Sequence, residues 1–369
     1  MAKIDELLQE LCPDGVECLS LGSIGKICMC KRIMKDQTNT TSGVPFYKIG
    51  TFGKEADAYI SYDLYKEYKH RFSFPQKGYV LISASGTIGR AVIYNGEDAY
   101  FQDSNIVWIE NREDIVLNKY LYYCYMTMDW VTEGGTIKRL YNSNLAKMKI
   151  FVPSLSRQQE IVEVLDTFTD AISNLEEELA LREKQFKYYR EQLFNFDEGE
   201  YEWKYLPDIS INCDKQRKAV SSKNRNSGIY PYYGASGVVD HVNDYIFDGE
   251  YLLISEDGAN LCTRVYPIAF SIKGKNWVNN HAHVIKFDNY VLQKFTEIYL
   301  NSLDLRPWIS TGAQPKLNQD NLNKIRIPVP SLERQQEIVE ILDTFEAMIA
   351  NIKEEIALRT KQYEYYREK

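Results

Sequence analysis

Apolar residues recur at alternating four- and three-residue steps in two stretches of the chain, one central and one C-terminal. The seam residues are Ile161, Leu165, Phe168, Ile172, Leu175, Leu179 and Phe186 in the first stretch, and Ile338, Leu342, Phe345, Ile349, Ile352, Ile356 and Tyr363 in the second. This spacing is the a/d heptad pattern of a coiled coil. Pro153 and Pro330 mark the start of each helix, with Ser154 and Ser331 placed to cap its first turn.

The two stretches are copies of each other. Residues 152–191 and 329–368 are identical at 28 of 40 positions, at an offset of 177 residues. The segments that precede the two copies resemble each other only in outline. The chain is therefore organised as a variable domain, a helix, a second variable domain and a second helix. One seam position in each copy is charged, Arg182 and Arg359. Such a charge would either fix the helix register or extend out of the seam into solvent.

The short linker after the first helix determines the predicted topology. A helix of roughly 38 residues spans about 57 Å, and only residues 195–200 separate it from the next globular segment. The second helix therefore begins at the far end of the first and runs back along it. The predicted fold is α/β (α+β), with two mixed α/β domains and an antiparallel coiled coil of approximate two-fold symmetry. The predicted boundaries are 1–151 and 197–328 for the domains, and 152–196 and 329–369 for the helices.

Charge is distributed unevenly along an otherwise ordinary globular composition. The net charge is −8, yet residues 152–198 and 329–369 together carry 11 Lys and Arg against 20 Asp and Glu, whereas the rest carries 33 against 32. The acidity thus lies in the predicted helices and leaves near-neutral globular halves. The charged N-terminus is unlike a signal peptide, and no apolar run approaches the ~18 residues of a membrane span. We expect a cytoplasmic protein.

Metal binding is a weak alternative at two places. Four cysteines crowd the first thirty residues: Cys12, Cys18, Cys28 and Cys30. Their spacing does not fit a zinc knuckle and no paired histidine follows. The pair His281 and His283 has no evident third ligand. Because the chain has seven cysteines and no secretion signal, we expect reduced thiols and no metal.

Sequence motifs point to a known family. Pro-Ser-Leu-x-Arg-Gln-Gln-Glu-Ile closes each globular half, at 153–161 and 330–338, and a long helix follows each time. The second half also contains YPYYGASG, LLISEDGANL and WVNNHAHVI. Over essentially its full length the chain resembles the specificity subunits of type I restriction–modification systems. One departure concerns the helices: the first continues as Glu-Gln-Leu-Phe at 191–194, whereas the second stops at Lys369. Either the second copy is shorter or the chain is truncated.

The resemblance implies a DNA-reading adaptor that catalyses no reaction itself. Each domain would be a target recognition domain that reads one half of a bipartite, asymmetric DNA target. The helices would set the half-site spacing and dock two methyltransferase subunits, and restriction–translocase subunits would join for cleavage. S-adenosylmethionine, ATP and Mg²⁺ would then bind to those partner subunits, with no cofactor on this chain.

Candidate DNA contacts lie in basic clusters and polar loops of both halves. Lys and Arg suit phosphate contacts, whereas paired donors and acceptors read base edges. The phosphate candidates are Lys31, Arg32, Lys35, Lys138 and Arg139, then Lys215, Arg217, Lys218, Lys223, Arg225 and Lys316. The base-reading candidates are the polar loops Ser83–Arg90 and Glu256–Arg264, with Ser85, Arg90, Asn260 and Arg264 singled out, together with Gln102, Asp103, Asn105, Asn279, Asn280 and His281. Tyr47, Tyr232 and Tyr233 are expected on the DNA face. Each cluster could instead be a solvated charge run, and Asn280 and His283 could be buried partners that hold a turn.

Catalytic signatures are missing from the sequence. A motor would need a phosphate-binding G-x-x-x-x-G-K-[ST] loop, but Gly25-Lys26 is followed by Ile27. We find neither the Asn-Pro-Pro-aromatic loop of a base-flipping methyltransferase nor the carboxylate–lysine set of a nuclease. Two alternatives to a DNA-reading adaptor stay open: a coiled-coil scaffold that does not read DNA, and a divergent nuclease.

Overall fold

A computed structural model describes residues 16–133, 138–310 and 315–368. The chain divides into two compact units. Unit 1 runs to Asn174 and resumes at Ile356, and unit 2 is Leu175–Glu355. Each unit therefore combines one globular body with the start of one long helix and the end of the other, whereas the predicted boundaries assign each helix to a segment of its own.

Unit 1 is a mixed α/β body. Its strands are β1 (Glu17–Ser20), β2 (Ile27–Cys28), β3 (Val44–Tyr47), β4 (Tyr59–Ile60), β5 (Val80–Ser83), β6 (Ala91–Ile93), β7 (Tyr100–Phe101), β8 (Ile106–Ile109) and β9 (Lys149–Val152). Its helices are α1 (Leu21–Ile24), α2 (Tyr62–Arg71), α3 (Asn118–Thr127), α4 (Asn142–Lys147) and the start of α5 (Leu155–Leu193). The sheet orders are β2–β8–β5–β6 and β4–β3–β7, with β1 and β9 forming a separate pair.

Burial explains why unit 1 folds around β5. Both β8 and β5 are buried over their whole length, and every residue except Ser83 at the end of β5 is apolar, as expected for strands covered on both faces. One core cluster packs β5, β8 and α3 against the first turns of α5, through Val162 and Leu165. A second core contains Phe46, Tyr100 and Trp108.

Unit 2 repeats this plan with longer strands. They are β10 (Tyr201–Tyr205), β11 (Ile211–Asn212), β12 (Ser227–Gly234), β13 (Gly237–Val242), β14 (Phe247–Ser255), β15 (Ala269–Val278), β16 (Ala282–Lys286) and β17 (Arg326–Pro330). The helices are α6 (Leu206–Ile209), α7 (Asn260–Thr263), α8 (Tyr290–Ser302), α9 (Gln319–Leu322) and the start of α10 (Leu332–Glu368). The main sheet has the order β11–β16–β14–β15–β12–β13, and β10 pairs with β17.

The two long helices run antiparallel within each unit. In unit 1, Phe168 near the start of α5 stacks on Tyr366 near the end of α10, with ring centroids 5.3 Å apart. In unit 2, Tyr189 near the end of α5 stacks on Phe345 near the start of α10, also at 5.3 Å. Both stacks use the same two repeat positions with the copies exchanged. The predicted α/β class with paired long helices is confirmed.

Every predicted seam residue is buried or half-buried. The charged seam position is also defined. Arg182 contacts Glu178 at 3.4 Å and Gln185 at 3.2 Å on its own helix, which is the geometry of a side chain that extends out of the seam. Arg359 contacts Gln362, at the position equivalent to Gln185.

A buried glutamine joins each globular body to its helix. The amide oxygen of Gln158 accepts a hydrogen bond from Leu117 N, and its amide nitrogen donates to Ile115 O and Pro153 O, all at 2.8 Å. The equivalent Gln335 donates to Pro330 O at 2.8 Å, but its oxygen has no partner among the described residues. Ser154 and Ser331 cap the helices through Arg157 N and Arg334 N, as predicted.

This difference predicts unequal effects of the same substitution. Gln158→Ala leaves three backbone groups without their partner and should reduce the free energy of unfolding of unit 1 by about 2–4 kcal/mol. Gln335→Ala removes one bond and should cost unit 2 about half as much or less. Denaturant unfolding, with hydrogen exchange to assign the loss to a unit, measures both. Equal losses would contradict this account.

Candidate nucleic-acid interface

Three segments of unit 1 meet at the end of β5. Ala84 N donates to Asn105 O at 2.7 Å, and Leu140 N donates to Ala84 O at 2.9 Å. Next to them, Ser85 forms an isolated β-bridge with Arg139. We refer to Ser85, Asn105 and Arg139 as the first junction. These three predicted residues, far apart in sequence, are brought together by the fold.

The side chains of the first junction form one hydrogen-bonded group. Ser85 Oγ donates to Asn105 Oδ1 at 2.7 Å, and Arg139 Nη2 donates to the same oxygen at 3.2 Å. Arg139 Nη2 also lies 3.4 Å from Ser104 Oγ. Asn105 and Arg139 are half-buried, so part of each remains open to a ligand.

Unit 2 contains the same backbone arrangement at the end of β14. Glu256 N donates to His281 O at 2.9 Å, and Leu317 N donates to Glu256 O at 2.8 Å. Asp257 forms the isolated bridge with Lys316. We refer to Asp257, His281 and Lys316 as the second junction.

The side chains of the second junction differ from those of the first. His281 Nδ1 lies 3.0 Å from Asp257 Oδ1, and Lys316 Nζ lies 3.0 Å from Glu256 Oε1. Each junction loop turns at a glycine with positive φ, Gly86 at 66° and Gly258 at 109°, where other residues would be strained. The backbone is thus the same in both junctions, and the polar groups that it presents are different.

A buried ion cluster lies beneath the second junction. Arg217 contacts Glu256 at 2.6 Å and Asp214 at 3.2 Å, and His283 Nδ1 contacts Asp214 at 2.6 Å. Burial alone would raise the pKa of Asp214 and of Glu256. Hydrogen bonds from His283 to Asp214 and from Arg217 to Glu256 outweigh burial, and the pKa of each carboxyl is lowered.

This cluster contains a possible set of metal ligands. Asp214, Glu256 and His283 each offer one ligand atom, and these atoms lie within 4.8 Å of one another. However, Arg217 and Lys316 already place two positive charges on the carboxylates. The arrangement is that of a structural ion network, in which the guanidinium supplies the charge that a metal would bring.

The crowded N-terminal cysteines do not form a common site in the part of the chain that the structure describes. Cys28 and Cys30 are buried in the core beside Trp108, whereas Cys18 is exposed. Cys12 lies outside the described residues. Burial raises the pKa of the Cys30 thiol to about 12, which favours the protonated form.

The sequence matches a known family in both halves. The sequence profile of the type I restriction modification DNA specificity domain matches residues 13–182 and again residues 199–358. The chain belongs to this family. It is 34% identical over 286 residues to the EcoR124I/EcoR124II specificity subunit of Escherichia coli, covering 68% of this chain and 70% of that protein. It is 56% identical over 183 residues to a putative type I specificity subunit of Haemophilus influenzae, covering 48% of each chain.

Solved structures show the same fold for this specificity subunit. The S subunit of a type I system from M. genitalium has a TM-score of 0.69 at 16% sequence identity, covering 96% of this chain and 95% of that one. Among the described residues, no helix combines the length and the apolar character needed to cross a bilayer.

Several predicted DNA-binding residues of the specificity subunit are exposed. Lys35 belongs to a short 3₁₀ turn, Lys35–Gln37. Lys31 lies over the Phe72 ring, 5.3 Å from its centroid, and Arg32 contacts Asp103 at 2.8 Å. The remaining exposed candidates are Lys138, Lys215, Lys218, Lys223, Asn280, His281 and Lys316. Of the two residues weighed as buried partners, Asn280 is exposed and His283 is buried.

Other candidates are engaged in contacts within the protein. Arg90 donates to Phe52 O and Gln102 accepts from Ile49 N. Asn260 bonds the backbone of Tyr266 through both amide atoms. Arg264 donates to Leu303 O, Arg225 contacts Asp240, and the buried Asn279 accepts from His281 N. Half-buried Tyr47 and Tyr233 pack on Phe101 and Phe270.

The predicted DNA contacts of Tyr232 and Arg217 are wrong. Tyr232 does not line a surface, because its side chain is buried and its hydroxyl accepts from Val220 N at 2.9 Å. Arg217 is not a free phosphate contact, because its side chain is 13% exposed and joined to two carboxylates. Tyr232 lies on an inner face of the sheet, and Arg217 has acidic neighbours that are remote in sequence.

Sequence reasoning missed the partners of the ion cluster. Asp214 precedes Arg217 by three residues, a spacing that permits an ion pair within one turn. Glu256 follows the buried strand β14 directly, where a charged residue needs a partner. These two signals indicate a buried pair, although they do not identify its members.

The lowered pKa values predict acid sensitivity in unit 2. Both carboxylates contribute stability at neutral pH, which is lost as pH falls below their ordinary pKa values of 3.8 and 4.5 and through the lower folded values. Hydrogen exchange in β14 and β16, corrected for intrinsic rates, measures this loss. Asp214→Asn should reduce stability at pH 7 and flatten the pH dependence. An unchanged pH profile in Asp214→Asn would contradict the assignment.

Proposed function

We propose that each unit of this specificity subunit reads one half of a bipartite, asymmetric double-stranded DNA target, and that the chain catalyses no reaction itself. The observation that carries the proposal is the pair of junctions. One backbone arrangement occurs twice, with Ser85, Asn105 and Arg139 in one unit and Asp257, His281 and Lys316 in the other. Because the two junctions have the same backbone arrangement but present different polar groups, they suit two different base sequences.

Exposed cations near the junctions support DNA as the ligand. Lys138 is exposed and adjoins Arg139 of the first junction, and Lys316 of the second junction is itself exposed. Lys215 and Lys218 flank the half-buried Arg217 on the surface of unit 2. Such side chains suit phosphate contacts, which position a protein on DNA without reading sequence.

The repeated helix surface supports two copies of one protein partner. Leu181 and Tyr188 on α5, and their counterparts Leu358 and Tyr365 on α10, are 49–59% exposed. Within each helix the two side chains are two turns apart and share a face. Apolar side chains so exposed suit a protein contact, and a surface present twice suits two methyltransferase subunits. Restriction subunits would complete the complex in the cytoplasm, with S-adenosylmethionine, ATP and Mg²⁺ on the partners.

Domain exchange tests whether each unit reads its own half of the DNA target. Replacing residues 199–328 with those of a relative should change one half of the methylated sequence and leave the other half unchanged. Co-expression with the methyltransferase subunit, followed by genome-wide mapping of methylated bases, gives the result. A change in both halves, or in neither, would refute the proposal.

Substitution on one helix tests the partner surface. Tyr188→Asp with Leu181→Asp should lower the number of bound methyltransferase subunits from two to one, because the equivalent surface on α10 is intact. The matched variant, Tyr365→Asp with Leu358→Asp, should do the same. Native mass spectrometry of the co-purified complex counts the subunits. Two bound subunits in both variants would rule out this surface.

A further inference from the structure

We propose that the first junction presents hydrogen-bond donors to a base edge, whereas the second presents an acceptor. The two half-sites would then require opposite base groups at this position. The inference rests on the proposed function, because it assumes that the junctions face DNA. It adds the chemistry of each contact, which the family resemblance does not supply.

The donor character of the first junction follows from Arg139. A guanidinium has no acceptor, so the Asn105 side-chain atom that lies 3.2 Å from Arg139 Nη2 is the amide oxygen. That oxygen also accepts from Ser85 Oγ and is thereby occupied twice. The amide nitrogen of Asn105 has no acceptor among the described residues, so its N–H groups are left for a ligand.

Donors of this kind match one class of base group. In the major groove, purine N7, guanine O6 and thymine O4 accept hydrogen bonds. Asn105 Nδ2, together with the remaining guanidinium N–H groups of Arg139, forms a set of donors only. The best match is guanine, which presents two neighbouring acceptors.

The acceptor character of the second junction follows from Asp257. Its two carboxylate oxygens lie 3.0 Å from His281 Nδ1, and a carboxylate only accepts, so Nδ1 carries the proton. Nε2 is then an acceptor in the neutral ring, the form that the proposal requires, and a donor in the imidazolium. The His281 side chain is 49% exposed, which leaves this nitrogen accessible.

Lys316 does not override this acceptor. Its ammonium lies 3.0 Å from Glu256 Oε1, and Glu256 is held in turn by the half-buried Arg217. The ammonium of Lys316 is thereby paired with a carboxylate of the ion cluster. A free acceptor at a base edge matches the exocyclic amine of adenine or cytosine.

Substitutions that exchange donor and acceptor test the inference. Asn105→Asp replaces the amide donor by an acceptor and should reduce discrimination at one position of the first half-site about tenfold or more. His281→Lys should do the same in the second half-site. His281→Asn should retain the preference there, because its nitrogen can donate to Asp257 while its oxygen accepts. Lys215→Gln is the control and should weaken binding evenly across sequences.

Atom-level changes in DNA identify the contacted groups. We would use the complex with its methyltransferase subunits and duplexes carrying the split motif, in which single bases are replaced. A 7-deazapurine in the first half should weaken binding by the wild-type chain and leave Asn105→Asp unaffected. A base lacking its exocyclic amine in the second half should weaken the wild type and leave His281→Lys unaffected.

The outcomes separate the inference from the proposed function. If the split motif persists and these variants leave base preferences unchanged, the junction assignment is overturned and domain-wise reading stands. If base changes show the opposite polarity, the assignment is also overturned. If domain exchange changes no half of the motif, the proposed function fails. Should Asn105→Asp not fold, Asn105→Leu removes the same donor without adding charge and should give the same loss.

Discussion

A buried amide, together with the apolar contacts of Val162 and Leu165, joins unit 1 to its helix. The Gln158 side chain makes hydrogen bonds with three backbone groups. Ile115 O and Leu117 N lie in the segment just before α3, and Pro153 O lies just before α5. Rotation or sliding of the helix would leave these buried groups unpaired, at a cost of about 2–4 kcal/mol against a net domain stability of about 5–15 kcal/mol. These bonds therefore help to hold the direction of α5, together with its core contacts and the contacts of Asp166 with Lys119 and Tyr123. In unit 2 the equivalent Gln335 makes a single such bond, and Lys294 adds an ion-pair contact from α8 to Glu346 of α10.

With the helices held in this way, each globular body can vary at its junction without losing its frame. The backbone hydrogen bonds that connect the junction segments involve no side chain, so they tolerate Ser85 in one unit and Asp257 in the other. The charged side chains of the second junction impose a stronger constraint, since each of them needs a partner. Asp257 is paired with His281, and Glu256 with Lys316 and the half-buried Arg217, because a buried carboxylate without a partner is costly. Unit 1 has the neutral residue Ala84 where unit 2 has Glu256, and needs no such network.

The sequence allowed the helices, their pairing and the two-domain order to be predicted, since heptad spacing and an internal repeat depend only on local periodicity. It also selected Ser85, Asn105 and Arg139, because polar residues in loops after buried strands are suited to contacts. It failed where a side chain's partner comes from elsewhere in the fold. Arg217 and Tyr232 are residue types that are common on DNA-binding surfaces. Only the three-dimensional structure reveals that remote carboxylates hold the first and that the sheet covers the second.

The exchanged aromatic stacks explain the uneven divergence of the chain. Phe168 meets Tyr366 and Tyr189 meets Phe345, so each copy of the helix is the binding surface of the other. A substitution in one copy alters a contact that the other copy must accommodate. Sequence change in either helix is therefore restrained by the other. In the globular bodies, by contrast, the junction segments are held by backbone hydrogen bonds that involve no side chain. Their sequences are therefore free to differ, whereas the helix copies are identical at 28 of 40 positions.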